Sequence, residues 1–146
     1  MSSSATEAQQ APPAGLEIVH GPSGQRFTPE LTPITLFVGT ALADGLHCEQ
    51  RPPADPQPVL LVPTATYGHP LAVYAHALQV EAALRRGTRF VCFTHNLEWI
   101  DALLGFLDDK SMISCYRVVF IDGELRHHRW VGEDLAFMRS MDDDPR

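Results

Sequence analysis

Val59-Leu60-Leu61-Val62, Arg89-Phe90-Val91-Cys92-Phe93 and Tyr116-Arg117-Val118-Val119-Phe120-Ile121-Asp122 are three short apolar runs within one stretch of chain, 59–122. Two helical patterns separate them. From Leu71 to Arg86, apolar residues recur at Leu71, Tyr74, Ala75, Leu78 and Ala82, and again at Val73, Ala77, Val80 and Leu84. These are two adjoining stripes on one helix, with His76, Gln79 and Arg86 opposite. So wide an apolar surface fits a helix packed on a sheet and covered in part by something else. From Asn96 to Asp108, Ile100, Leu103, Leu104 and Leu107 share a face, Asn96 is placed to cap the start, and Glu98 stands in the first turn. Strands alternating with helices predict parallel strands joined by crossovers. The expected fold is a three-layer α/β domain, a mostly parallel sheet flanked by helices.

Working outward, the first fifteen residues are rich in Ser, Ala, Gln and Pro and read as a disordered arm. Residues 16–27 read as a small hairpin about the Gly21-Pro22-Ser23-Gly24 turn. Ile34 to Gly39 reads as a strand or the start of a short helix. Gln50 to Pro58 carries four prolines and reads as a stiff linker delivering the chain to a first central strand at Val59. Beyond the Asp122-Gly123 turn, Glu124 to Val131 is a returning strand and Glu133 to Met141 a last short helix. The division is an arm at 1–15, one α/β domain at 16–141 and an acidic tail at 142–146.

A chain of 146 residues is one domain's length, and 45% apolar content supports one core. A net charge of -7 argues against a generally basic nucleic-acid binder. Three scattered cysteines and a polar beginning point to a reducing, cytoplasmic or nuclear setting, and no run has the length of a membrane span.

The loop after Val59–Val62 has the layout of a phosphate site: strand, glycine-bearing loop, helix. Phosphate needs clustered glycines, a lysine and a Ser/Thr for magnesium. This loop, through Thr66, Gly68, His69 and Pro70, offers one glycine and no lysine, and Pro70 lacks an N–H. The only lysine, Lys110, lies beyond the next strand and helix. Walker-type hydrolysis is therefore not expected, nor any cofactor. Asp122 ends a strand as a magnesium-binding acid would, but an Asp-Gly turn accounts for it. His127 and His128 are strand neighbours facing opposite ways, and no zinc spacing or Gly-x-Ser-x-Gly is present. His95, at a strand's C-terminal end, is the best single catalytic candidate; contact with its neighbours is the plainer account. Arg126, His128, Arg129 and Trp130 form the one basic segment with an aromatic and are candidates for RNA or partner contact. A solvated, charge-protected edge strand is the plainer account here.

The run Ala83-Leu84-Arg85-Arg86-Gly87-Thr88-Arg89-Phe90-Val91-Cys92-Phe93 resembles the helix and strand of RecA-like ATPases. Within them, the order Val59–Val62, degenerate loop through Gly68, helix 71–86, strand 90–93, helix around Glu98-Trp99 and Val119–Gly123 is similar to the family of the sixth Elongator subunit. The resemblance implies a pseudo-ATPase in a hetero-oligomer of protein subunits that assists tRNA wobble-uridine modification, with tRNA as a further partner. Val118 to Leu125 followed by Val131-Gly132 also resembles the closing hairpin of a thioredoxin-like fold, which would lack its redox cysteines near 66–69. Phe93-Thr94 and the next helix resemble carboxy-terminal-domain phosphatases, whose aspartates would fall at 62–66, where none stands. A binding or assembly subunit is expected rather than an enzyme; a small hydrolase or transferase using His95 is the alternative. The direction of the Tyr116–Asp122 strand bears on the fold. Parallel pairing with a central first strand favours RecA-like; antiparallel pairing with a following hairpin favours thioredoxin-like.

Overall fold

The computed structural model describes residues 16–50, 59–61 and 70–146. The N-terminal arm and the loop residues Thr66, Gly68 and His69 lie outside the described residues. Pro70 opens a helix, where its fixed φ fits and its missing N–H is not needed.

The five-residue run Ile34-Thr35-Leu36-Phe37-Val38 is buried along its whole length. A strand buried on both faces belongs in the middle of a parallel sheet, and that is where this one lies. We label β1 Leu16–His20, β2 Arg26–Phe27, β3 Ile34–Val38, β4 Leu46–Gln50, β5 Val59–Leu61, β6 Arg89–Phe93, β7 Ile113–Ile121 and β8 Glu124–Val131. The helices are α1 Pro70–Arg85, α2 Leu97–Phe106 and α3 Gly132–Ser140, with 3-10 turns at Thr40–Asp44 and Lys110–Met112. The main sheet runs β5-β6-β3-β7-β8 and a small one runs β2-β1-β4.

The domain is thus mixed α/β, with two sheets and three helices among the described residues. Three pairings are parallel, β5 with β6, β6 with β3 and β3 with β7. Three are antiparallel, β7 with β8 and both within the small sheet. Three expectations need correction. Among the described strands, Val59–Leu61 lies at an edge and Ile34–Val38 is central, because the crossover from β6 to β7 passes over β3. Among the described residues, the sheet is flanked by helices on one face only. Ile34, Leu36 and Val38 face α1, α2 and α3 in one core, while Phe37, Val91, Tyr116 and Val118 pack on Leu16, Ile18 and Leu46 of the small sheet in another. The main sheet is parallel at three of its four pairings, but over both sheets parallel pairing does not dominate, because β1, β2 and β4 form the antiparallel cover. β7 is parallel to β3 and continues into an antiparallel hairpin, so the hairpin expected of a thioredoxin-like fold is present, while the RecA-like expectation is met in its parallel pairing and not in its central first strand.

Local chemistry sets the element ends. Asn96 Oδ1 accepts the Trp99 N–H at 3.1 Å to cap α2. Gly87, at φ 89°, closes α1 in the left-handed conformation, with its N–H on Leu84 O. Asp122 (φ 54°) and Gly123 (φ 78°) form a two-residue hairpin loop, so Asp122 serves the turn. No described helix is long and apolar enough to cross a membrane.

Candidate functional site

Open α/β sheets hold ligands beyond the carboxyl ends of their parallel strands, where the strand order reverses. Here that place is the end of β3, so the loop to inspect is Gly39 to Gly45 rather than the one after β5. The adjacent strand ends bring His95 (after β6), Gly39 and Thr40 (after β3), Arg117 (in β7) and His128 and Arg126 (in β8) into a row along this edge.

Gly39 has φ 111° and ψ 170°, a conformation reserved for glycine. A Cβ there would lie 2.3 Å from Val118 O. The turn is therefore pressed against the β7 backbone. His95 Nε2 lies 2.9 Å from Gly39 O and 3.3 Å from Gly39 N, serving one of them at a time. The residue that sequence reasoning singled out is at the expected edge, but its ring is engaged by backbone. Glu98 lines the same cleft of about 350 Å³ as His95, Asn96 and Leu97, without a hydrogen bond to His95. From the other side the C-terminal tail folds in: Pro145 is buried and Arg146 Nη1 donates to His95 O at 3.3 Å. Arg146 also grips Asp144, holding that carboxyl down at about 2.

The chain after β3 does not enter an α-helix. It makes the 3-10 turn Thr40–Asp44 and returns as β4. Lys110 is at the opposite edge of the sheet, just before β7, donating to Leu107 O. Among the described residues, no group of three His, Cys, Asp or Glu is placed to hold a metal.

The structure divides the basic segment. In the β7–β8 ladder, Cys115 pairs with Trp130, Arg117 with His128 and Val119 with Arg126. Because Cys115 belongs to the helix-side core and Trp130 packs against it, Arg126, His128 and Trp130 share the helix-side face. A shallow depression of about 110 Å³ there is lined by Arg117, Val119, Arg126, His127 and His128. His128 meets Trp130 edge-on at 4.6 Å, and Arg126 pairs with Glu124 at 3.1 Å. Arg129 is on the other face, with its guanidinium 6.0 Å from the Tyr116 ring and 3.9 Å from Glu30. It does not join the other three. His127 stacks on Phe27 at 4.0 Å, and burial lowers its pKa.

Arg117 was the residue missed. It is exposed and has no ion-pair partner among the described residues. The signal was available: a two-residue Asp122-Gly123 loop pairs Ile121 with Glu124, and counting back sets Arg117 opposite His128. Comparison of the chain with protein-family models, with curated proteins and with solved structures finds no match.

Proposed function

We propose that the chain is a non-catalytic binding subunit of a protein assembly, built on a nucleotide-type sheet whose phosphate turn is closed. One observation carries this reading. The turn after the central strand is wedged on Val118, is contacted by His95, and leads to five residues of 3-10 turn and a strand. A phosphate site at that place uses free backbone N–H groups and the positive end of a following helix. Here the Gly39 N–H faces His95 and no such helix follows. The test is thermal unfolding with and without millimolar Mg·ATP. No shift is expected; a saturable stabilisation lost in Thr40→Arg would overturn the reading.

The narrower form of this proposal is RecA-like kinship with a place in an Elongator-type tRNA-modifying assembly. Its support is the order of strands and helices from Val59 to Ile121 and the parallel pairing of β5, β6, β3 and β7. Affinity purification from the native cell would recover RecA-like partners if it holds, and no stable partner if it does not.

A second reading concerns RNA. Arg117 joins Arg126, His128 and Trp130 on one face, a cationic and aromatic surface suited to phosphate and an unstacked base. Arg129, turned to Tyr116, is outside it. Replacing Arg117 by alanine should lower the salt slope of RNA binding by about one, while Arg129→Ala leaves it unchanged. Equal effects from both would refute this assignment.

A further inference from the structure

α1 carries two apolar stripes, and among the described residues the core takes only one of them in full; from the other, Tyr74 meets Phe106 of α2 edge-on at 5.0 Å. Val73, Ala77, Val80 and Leu84 are buried in the helix-side core. Leu71, Tyr74 and Leu78 are 72%, 56% and 50% exposed. With Ala75 and Ala82 they follow helical spacing over roughly 16 Å of helix, a seam for another helix. We propose that this seam is the interface of a homodimer in which α1 packs antiparallel on α1 of a second copy.

Shape and charge both select a second copy in that orientation. With a two-fold axis at Leu78, Tyr74 faces Ala82 of the second copy and Leu71 faces the aliphatic stem of Arg85, so each large group meets a small or flexible one. Leu78 meets itself on the axis. Glu98 and Asp101 line a cleft with Val73 and Tyr74, toward the N-terminal half of α1. Arg85 and Arg86 close its C-terminal end. Antiparallel pairing brings the arginines of one copy to the carboxylates of the other, twice, as a self-complementary two-fold interface requires. Parallel pairing would set Arg85 and Arg86 beside their own copies. Arg85 is engaged by Glu81 and Asp101 by Arg139 within one chain. Glu98 and Arg86 have no ion-pair partner among the described residues; Arg86 lies one residue past the end of α1, so the helical spacing that set it opposite the stripes does not hold it there, and the two are the pair the dimer would join.

The full chain is examined by sedimentation velocity from 1 to 100 µM, a span chosen to bracket roughly micromolar self-association. A concentration-dependent dimer is expected. Leu78→Arg, which puts two charges on the axis, should weaken it by about a hundredfold or more. Glu98→Arg and Arg86→Glu should each weaken it by about tenfold, from two equivalent exposed pairs worth a factor of up to about five each. The double variant Glu98→Arg/Arg86→Glu should recover most of the loss, which a merely misfolded protein would not. A wild-type monomer throughout, a dimer indifferent to Leu78→Arg, or no recovery in the double variant would overturn the proposal. The pairing goes beyond the closed-turn reading: a monomer sinks the former alone, and ATP binding sinks the latter alone.

Discussion

Gly39→Ala tests the closed turn directly. Gly39 holds φ 111° and ψ 170°, and forcing an L side chain into that region costs about 1–3 kcal/mol. The new methyl would also lie 2.3 Å from Val118 O and 2.8 Å from Val118 N. Both are backbone atoms of the paired strand β7 and cannot rotate aside. Displacing them adds about 1–3 kcal/mol, the usual range for overpacking. The expected loss is about 4 kcal/mol, a large share of the stability of a domain this size. With a urea m-value of about 2 kcal/mol/M, the midpoint should fall by about 2 M. Gly24→Ala is the control: φ is 73° but nothing lies within 4 Å of the added Cβ, so about 1 kcal/mol is expected from the backbone alone. Buried Trp99 gives the fluorescence signal for the transition. If the two variants lose the same stability within about 0.5 kcal/mol, the close approach of Gly39 to β7 is wrong, and so is the closed turn.

Three further outcomes follow from other parts of the structure. Burial pushes the Cys115 thiol up to about 12 and raises Cys92 as well, and it also raises half-buried Cys48; a thiol reagent at pH 8 should label Cys48 first and the other two only on unfolding, and equal labelling of the native protein would contradict the core. Asp144 titrates at about 2 rather than 3.8 because Arg146 hydrogen-bonds it; its small contribution is in place above 3.8 and lost as pH falls through about 2, so an NMR titration should show the midpoint rising toward the ordinary value in Arg146→Ala, and an unmoved midpoint would break the link. Trp99→Phe removes a buried donor that reaches His76 Nδ1 at 2.9 Å and leaves a small void; a loss of about 1–3 kcal/mol is expected in urea unfolding, and no loss would mean that this bond does not form.

What the sequence made legible was periodic and local. The strands and helices from β5 to β8 follow from runs and stripes that each lie within some sixteen residues, and Asn96, Gly87 and Asp122-Gly123 announced their own ends. The rest depends on pairing between distant segments. Ile34–Val38 reads as one apolar run among several, and only its partners make it central. Leu46-His47-Cys48-Glu49 alternates as a strand should but lacks β-branched and aromatic residues, so β4 carries little signal. His95 was found by its place at a strand end. Its contact with Gly39, 56 residues away, was not, because nothing local links them. The four basic-segment candidates read as one patch because they are adjacent in sequence. Strand alternation puts Arg129 on the face opposite Arg126 and His128, and sets Arg117 among them instead.

Strand order also explains why α1 keeps an open face and α2 does not. The crossover that carries α2 must pass over β3 to join β6 to β7, so α2 sits over the middle of the sheet. Trp99, Ile100 and Leu103 accordingly show no exposure at all. Neighbours hold it on both sides: α1 through Trp99 and His76, α3 through the fork of Arg139 on Asp101, 2.8 Å and 2.9 Å. α1 joins β5 to β6 at the sheet's end, and among the described strands β5 pairs with β6 alone. Its inner stripe is met by the sheet and by α2. Its outer stripe lies toward the sheet's end, where Phe106 of α2 meets Tyr74 at 5.0 Å but the described residues leave Leu71 and Leu78 exposed. Moving Val59–Leu61 from the centre to the edge thus does more than relocate a loop. It turns the width of the apolar surface on α1, already visible at Leu71, Tyr74 and Leu78 in the sequence, from a feature of the core into a feature of the outside.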